Sequence, residues 1–191
     1  MVRFFDVLLH PIKLSHMDIS ELYRIFTEHP QVTTDSRDCP KGSIFFALKG
    51  ESFNGNTFAA KALEQGCSYA VIDEKEFAVE GDSRYILTDD CLTTLQQLAN
   101  YHRRKLGTKI IGITGTNGKT TTKDMISAVL GTTYSVCRTV ANHNNEIGMC
   151  QTLLSLKKEH GACVVEMGMR GFGQIEELCT FARPTIGVVT N

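Results

Sequence analysis

The sequence lacks an excess of charge of either sign, and it also lacks a long apolar run. Its 191 residues carry 20 basic and 21 acidic side chains, which give a formal net charge of −1. Nucleic-acid-binding domains usually have a basic excess, so this balance argues against a duplex-binding face. No stretch approaches the roughly 20 apolar residues that a membrane-spanning helix requires. We therefore expect neither a nucleic-acid partner nor a membrane span.

Cysteine patterns typical of metal fingers are missing as well. The seven cysteines form no C-x-x-C pair, and no Cys/His group has zinc-finger spacing. An odd number at irregular intervals is typical of free thiols in a reducing compartment. The apolar run Phe4–Leu9 is interrupted by Asp6 and is too short and polar for a signal peptide. These features predict a cytoplasmic protein and leave its oligomeric state open.

The first part of the chain alternates short helix and strand patterns. A helix is predicted from an N-cap at Asp18 through Phe26, and another from Asp90 through Tyr101. Between them lie a buried strand, a short helix and two further strands, at Ser43–Leu48, Phe58–Leu63, Tyr69–Ile72 and Arg84–Leu87. We expect a small αβ domain at residues 1–106.

From residue 107 onward the pattern is that of a parallel α/β sheet. Lys109–Thr114 is a continuous apolar run, as expected for a strand covered on both faces. Two helices and two more buried strands follow. The first helix is predicted to have its apolar side at Met125, Ile126, Val129 and Leu130, and the second helix is predicted at Ile147–Leu156. The two strands are predicted at Cys163–Glu166 and Ile186–Thr190. This alternation predicts a doubly wound parallel sheet.

The chain stops at Asn191, directly after a predicted strand. Open α/β sheets bind their ligands at this carboxyl end of the strands. We therefore expect residues 107–191 to form a domain that is incomplete at its C-terminal end, and the chain to be a fragment of a longer protein.

A glycine-rich turn joins the Lys109–Thr114 strand to the next helix. Glycines allow backbone amides to surround an anion, and a helix N-terminus favours phosphate. In this context Lys119 is predicted to reach the β- and γ-phosphates of ATP, and the Thr120 hydroxyl to ligate Mg²⁺. The strict G-x-x-x-x-G-K-[ST] pattern fails by one residue, because the upstream glycine is Gly112. The alternative is a tight turn with an incidental lysine. The predicted ATP-binding residues are Thr114, Gly115, Thr116, Asn117, Gly118, Lys119, Thr120 and Thr121.

The segment T-G-T-N-G-K-T-T resembles the ATP loop shared by the Mur ligases and the folylpolyglutamate synthetases. Ala141–Gly148 with Thr152–Leu154, and Val164–Gly171, are similar to segments of the Mur ligase branch that adds D-alanyl-D-alanine to UDP-N-acetylmuramoyl-tripeptide. Thr34–Arg37 and Gly42–Gly50 resemble the family's uridine-nucleotide-binding domain. The resemblance implies an ATP-dependent ligase of peptidoglycan synthesis, which phosphorylates a carboxylate and lets an amine attack the acyl phosphate.

Two alternatives remain at this point. Inside the family, the chain could belong to the branch that adds the third residue of the peptide, although the Asn-Asn-Glu-Ile-Gly segment favours the D-alanyl-D-alanine branch. Outside the family, it could be a nucleotide-binding module without catalysis. The sequence does not say whether the third peptide residue is diaminopimelate or lysine.

The resemblance also implies residue roles. Lys119 and Glu166 would be catalytic, and Glu166 would share Mg²⁺ with Thr120, a set that suits a cation preferring oxygen ligands. The alternative for Glu166 is a salt bridge. Asn144 and Asn145 would contact substrate, or else be plain turn residues. The resemblance also places Ser36 and Arg37 near the UDP group, and a turn held by local hydrogen bonds is the alternative.

Some positions depart from the family pattern. The usual D-G-H is Asn54-Gly55-Asn56 here, and Ala141 replaces a usual glycine. The resemblance further implies a histidine metal ligand, a carbamylated lysine and a C-terminal ligase domain after the last residue given. We therefore predict that these 191 residues alone have no ligase turnover.

Overall fold

The computed structural model describes residues 12–13, 18–141 and 143–191. By its internal contacts the chain divides between Thr94 and Leu95 into two compact units. The predicted domain boundary after Leu106 stays a prediction. The apolar run Phe4–Leu9 and Asn142 lie outside the described residues.

The first unit is built on a five-stranded sheet of order β1-β5-β4-β3-β2, in which every pair is parallel. Its core is formed by the short central strands, whose side chains are almost completely buried because apolar residues occupy successive positions. In chain order its elements are β1 Ile12–Lys13, α1 Ile19–Glu28, β2 Val32–Thr33, β3 Ile44–Phe46, a 3₁₀ turn Gly55–Phe58, α2 Ala59–Glu64, β4 Tyr69–Ile72, a 3₁₀ turn Lys75–Phe77, β5 Tyr85–Leu87 and the beginning of α3 Cys91–Leu106.

The second unit contains the rest of α3 and a four-stranded parallel sheet of order β7-β8-β6-β9. Its further elements are β6 Lys109–Gly115, α4 Lys119–Leu130, β7 Ser135–Arg138, α5 Glu146–Leu154, β8 His160–Glu166, α6 Gln174–Ala182 and β9 Ile186–Thr190. The central strands β6 and β8 end beside each other, with Ile113 in register with Glu166. The carboxyl ends of β6, β8 and β9 therefore bring the glycine-rich loop and Glu166 to one edge of the sheet.

The predicted fold class, a small αβ domain followed by a parallel α/β sheet, is confirmed. Within the residues that the structure describes, no helix is long and apolar enough to cross a membrane. All seven cysteines are free.

The apolar face predicted for α4 is partly wrong. Ile126 and Leu130 pack against the sheet, whereas Met125 and Val129 are 65% and 70% exposed. The buried face of this helix also carries Lys123 and Ser127, so it follows the i, i+3, i+4, i+7 spacing that starts at Lys123. The buried face of α4 is therefore partly polar, and the apolar residues alone do not mark it.

Four helices or strands were not predicted, namely β1, β2, β7 and α6, and the strand predicted at Ser43–Leu48 is shorter, at Ile44–Phe46. Helical structure in α5 ends at Leu154, before the predicted end at Leu156. Ala141 has a φ of 49°, in the left-handed region that glycine adopts without a steric penalty. This conformation explains why a glycine is usual there in the family.

Candidate nucleotide site and candidate substrate cavity

The glycine-rich loop has the backbone shape that an anion site needs. Gly115, at the end of β6, has a φ of 135°, and Gly118, just before α4, has a φ of 77°. A Cβ at Gly115 would collide with the backbone carbonyl of Thr190, so only glycine fits there. Gly118 provides no side-chain cap for α4. The first-turn amides of α4 therefore remain available to a ligand at the positive end of the helix dipole.

The tip of the loop is held by the end of β9. The Thr190 hydroxyl donates to the carbonyls of Asn117 and Thr114, at 2.6 and 3.2 Å. The Asn117 amide donates to the carbonyl of Asn191 at 2.5 Å. In this arrangement the amide of Asn117, which the sequence placed among the phosphate ligands, is used inside the protein. The amides of Lys119, Thr120 and Thr121 are better placed than the Asn117 amide to donate hydrogen bonds to an anion.

Lys119 lies across the loop at the start of α4. Its Nζ donates to the carbonyls of Gly115, at 2.7 Å, and Thr116, at 3.2 Å. The same side chain lines a cavity of about 390 Å³, whose other walls come from the start of α5 and the segment leading into α6, including Asn144, Asn145, Glu146, Gly168, Arg170, Gln174 and Glu177. The ammonium is thus held by neutral carbonyls, which a phosphate group can replace.

Thr120 and Glu166, predicted from the sequence to share a metal ion, are in direct contact. The Thr120 hydroxyl donates to Glu166 Oε2 at 2.9 Å, and Asn144 Nδ2 donates to Glu166 Oε1 at 3.2 Å. Glu166 is only 5% exposed. Within the described residues it forms no ion pair, so the salt bridge considered as its alternative role is absent. A buried carboxylate with only neutral partners favours an incoming cation.

The loop after β7 holds Glu166 in place. The Glu166 amide donates to the Thr139 hydroxyl at 2.9 Å, and the Gly168 amide donates to the Asn144 carbonyl at 2.7 Å. Thr139 is 2% exposed. Sequence reasoning missed Thr139, and its only signal was a threonine directly after a short strand that was itself not predicted.

The donor set fits Mg²⁺ in chemistry. Mg²⁺ prefers hard oxygen ligands and commonly takes one or two carboxylates together with phosphate oxygens and waters. Thr120 and Glu166 offer a hydroxyl and a carboxylate on adjoining elements. Among the described residues no group of three or more His, Cys, Asp or Glu side chains could enclose a metal by itself. A metal at this site would therefore depend on the phosphates for further ligands.

The two asparagines predicted to contact substrate have different surroundings. Asn145 Oδ1 accepts from the Gly148 amide at 2.9 Å and so caps α5, which is the turn role considered as its alternative. Asn144 contacts Glu166 through its side chain. Both line the 390 Å³ cavity, and their contact with substrate stays a prediction.

In the first unit, Ser36 and Arg37 lie at a separate cavity of about 550 Å³ together with Thr34, Asp35, Phe45, Phe53, Gly55, Phe58 and Lys61. Arg37 Nε and Nη2 bind the Asp35 carboxylate at 2.7–3.2 Å. These side-chain hydrogen bonds, with one from the Arg37 amide, lower the pKa of Asp35 to about 2. The structure thus contains the local turn considered as an alternative, and it also places Arg37 on a cavity wall.

Asn54 and Asn56, which depart from the family pattern, belong to a polar network. Asn56 Nδ2 donates to Asp73 Oδ1 at 2.8 Å, its Oδ1 accepts from the Asp73 amide, and Asn54 Nδ2 donates to Glu74 at 2.7 Å. Lys49 Nζ lies 3.1 Å from the same Asp73 oxygen. Burial raises the pKa of Asp73, but the hydrogen bonds from Asn56 and Lys49 outweigh burial, and the net shift is downward. Asn56 is 1% exposed, and its hydrogen bonds join this loop to the end of β4.

A strand, a glycine loop and a helix N-terminus in a parallel sheet define a phosphate-loop α/β protein, and comparison with known proteins identifies its family. The model of the Mur ligase middle domain matches residues 113–191, and that of the Mur ligase family catalytic domain matches residues 30–103. The UDP-N-acetylmuramoyl-tripeptide–D-alanyl-D-alanine ligase of Bacillus subtilis is 42% identical over 188 residues, which cover 94% of this chain and 41% of that protein. The ligase of the same name from Synechocystis is 42% identical over 192 residues, again 41% of its length.

Comparison with solved structures also finds Mur ligases. A crystal structure of MurF from Acinetobacter baumannii has a TM-score of 0.80 and 29% identity, covering 96% of this chain and 41% of that one. MurF from Thermotoga maritima, solved in complex with ADP, has a TM-score of 0.72 and 31% identity, covering 81% of this chain and 35% of that one. The chain belongs to the Mur ligase family and is of the MurF type. It spans about 41% of the length of the curated relatives that it matches.

Proposed function

We propose that this chain is part of an ATP-dependent ligase that adds D-alanyl-D-alanine to UDP-N-acetylmuramoyl-tripeptide through an acyl phosphate. In this proposal the second unit binds Mg·ATP and the first unit binds the UDP group of the substrate. The observation that carries the proposal is the contact between Thr120 and buried Glu166 beside Lys119, at the N-terminus of α4. The ligase names of its relatives, and the ADP bound by the Thermotoga relative, support it.

Each residue has a distinct task in the proposed reaction. The first-turn amides of α4 and the Lys119 ammonium bind the terminal phosphates, where charge-assisted hydrogen bonds are strongest. Thr120 and Glu166 hold Mg²⁺, with Asn144 and Thr139 fixing the position of Glu166. A Mg²⁺ ion held there would neutralise negative charge on the phosphates. The reaction also requires the amine to be oriented in a site closed to water. We expect the 191 residues to bind nucleotide without turnover.

The nucleotide half of the proposal is tested by calorimetric titration of Mg·ATP into the wild-type chain and the Lys119→Ala variant. Loss of the ammonium removes a charge-assisted contact, so we expect Mg·ATP to bind about 10- to 100-fold more weakly. The control is Lys109→Ala, since Lys109 is an exposed residue at the opposite end of β6. Equal affinity of wild type and Lys119→Ala, with the fold intact by circular dichroism, contradicts the proposed phosphate site.

The substrate half is tested by comparing UDP-N-acetylmuramoyl-tripeptide with UDP-N-acetylmuramoyl-dipeptide in the protein that contains this chain with the remaining ligase domain. The MurF type predicts that only the tripeptide supports phosphate release coupled to D-alanyl-D-alanine. Turnover with the dipeptide and a single amino acid would instead indicate the MurE type, which adds the third residue.

A further inference from the structure

Two cysteines stand side by side on neighbouring strands of the second unit. Cys137 of β7 is in register with Cys163 of β8, and the two strands run parallel. Paired residues of parallel strands direct their side chains to the same face of the sheet, and the backbones lie about 4.8 Å apart. A disulfide usually joins Cα atoms that are roughly 4.4–6.8 Å apart. The register therefore places these two residues at a separation that a disulfide can bridge.

The two thiols also contact each other. The Cys163 thiol donates a hydrogen bond to the Cys137 sulfur, which lies 3.5 Å from the Ser155 hydroxyl as well. The hydrogen bond from Cys163, together with those from Ser155 and the Arg138 amide, outweighs burial and lowers the pKa of Cys137. The same thiol–thiol contact and burial raise the pKa of Cys163. Because the thiolate is the nucleophile in thiol–disulfide exchange, Cys137 is the better attacking group of the two.

Access to the two sulfurs differs in the same sense. Strand β7 stands at one end of the strand order of its sheet, and Cys137 is 7% exposed. Cys163 lies on the next strand inward and is 0% exposed. Local opening costs less free energy at the edge of a sheet than in its core, so an oxidant in solution reaches Cys137 first. Cys163 can then react with a sulfur that is already attached to Cys137.

We propose that Cys137 and Cys163 form a reversible dithiol–disulfide site that reacts with low-molecular-weight disulfides. The Cys137 thiolate attacks one sulfur of such a disulfide, whose S–S bond breaks and releases one small thiolate. The Cys163 thiol then gives up its proton as its sulfur attacks Cys137, the second small thiolate leaves, and a Cys137–Cys163 bond forms. The two cysteines together lose two electrons and two protons, and the small disulfide is reduced to two thiols. This inference does not depend on the proposed function.

The disulfide would tie together two segments that hold Glu166. Thr139, two residues after Cys137, accepts from the amide of Glu166, which is three residues after Cys163. The new bond closes the loop of residues 137–163 and restricts the unfolded chain. The oxidised chain should therefore unfold at a higher urea concentration than the reduced chain. A lower midpoint would show that the disulfide forms only by distorting the sheet, and it would overturn the inference.

The experiment treats the chain with glutathione disulfide in buffer without denaturant and then blocks the remaining thiols with iodoacetamide. A tryptic digest is analysed by mass spectrometry without reduction. Cys137 and Cys163 fall in separate tryptic peptides, residues 124–138 and 159–170. We expect these two peptides to be joined, at the sum of their masses less two hydrogens, and to separate again after treatment with dithiothreitol.

Two variants test the order of events. Cys163→Ala leaves the attacking thiolate without a second thiol, so we expect glutathione to accumulate on Cys137. Cys137→Ala should leave Cys163 unmodified, because Cys163 is fully buried. Circular dichroism checks that both variants keep the wild-type fold. The reverse pattern, with glutathione on Cys163 and none on Cys137, contradicts the proposed roles.

A second pair of cysteines provides the matched control. Cys39 and Cys67 of the first unit also contact each other, but burial and the hydrogen bond with Cys67 raise the pKa of Cys39. A link between Cys39 and Cys67 should therefore form at least about tenfold more slowly than the link between Cys137 and Cys163. If the Cys39–Cys67 link forms first, or if peptides 124–138 and 159–170 stay separate, the inference is overturned. The proposed function stands in either case, because no nucleotide takes part in these measurements.

Discussion

The two candidate sites are built from different kinds of groups. In the second unit, backbone amides, two left-handed glycines and one buried carboxylate make the site, and Glu166 is held by hydrogen bonds with Thr120, Asn144 and Thr139. In the first unit, exposed side chains make the cavity, and its principal ion pair is local, between Arg37 and Asp35. Backbone geometry tolerates little substitution, whereas a side-chain surface can change residue by residue. The predictions below test this difference, beginning with the largest effect.

Gly115→Ala should be the most damaging of these changes. It forces a side chain into a φ of 135° and against the Thr190 carbonyl, so strain and overpacking add to a loss of about 3 kcal/mol in the free energy of unfolding. Urea denaturation measures this loss, and Mg·ATP titration should show that binding is lost with it.

Gly118→Ala is the control for this prediction. Its φ of 77° carries strain, but no atom lies within 4 Å of the added Cβ, so the expected loss is about 1 kcal/mol. Equal losses for the two variants would show that the contact with Thr190 does not restrict position 115.

Asn56→Ala should have the next largest effect. It removes a buried side chain that donates to the Asp73 carboxylate and accepts from the Asp73 amide, and it leaves both groups short of a partner. We expect a loss of about 2 kcal/mol in the free energy of unfolding, measured by urea denaturation. The neighbouring Thr57→Ala change removes only an exposed hydroxyl bound to the Asn54 carbonyl and should cost less than about 0.5 kcal/mol. A small loss for Asn56→Ala would mean that the network does not support the loop.

The smallest effect concerns the exposed pair of the first unit. The hydrogen bonds from Arg37 hold the pKa of Asp35 at about 2, so this contribution to folding is fully present above the ordinary aspartate range and is lost as the pH falls toward 2. Arg37→Ala should return the Asp35 midpoint toward its ordinary value, as measured by NMR titration of the side-chain carboxyl carbon. High salt should shift the wild-type midpoint in the same direction, because the pair is exposed. An unchanged midpoint in the variant would assign the low pKa to another cause.

The sequence predicted what depends on local pattern. The strand β6, the loop after it and the helix α4 were all predicted, because a continuous apolar run and the positions of the glycines can be recognised within a few residues. Strands β2 and β7 were not predicted, since each is short and partly polar and gains stability mainly from its neighbour in the sheet. The buried face of α4 was mispredicted because it includes Lys123 and Ser127, which an apolar pattern does not mark, while Met125 and Val129 are exposed.

The same limit applies to the candidate sites. The likeness to a family indicated Thr120 and Glu166 as partners, and the structure places them in contact, but no sequence pattern indicated Thr139 or the carbonyl of Asn144 as supports for the segment around Glu166. Nor did any pattern show that Asn56 would be buried against Asp73, since this contact joins residues from different parts of the chain.

Several hydrogen bonds join the loop after β7 to the end of β8, among them those from the Glu166 amide, the Gly168 amide and the Asn144 side chain. An amide proton held in this way exchanges with water only when its acceptor moves away. The protons of Glu166 and Gly168 should therefore exchange at a common rate, set by the free energy of separating Thr139 and Asn144 from the end of β8. Because Asn144 also donates to the Glu166 carboxylate, a ligand that binds this carboxylate should change the exchange of both protons together.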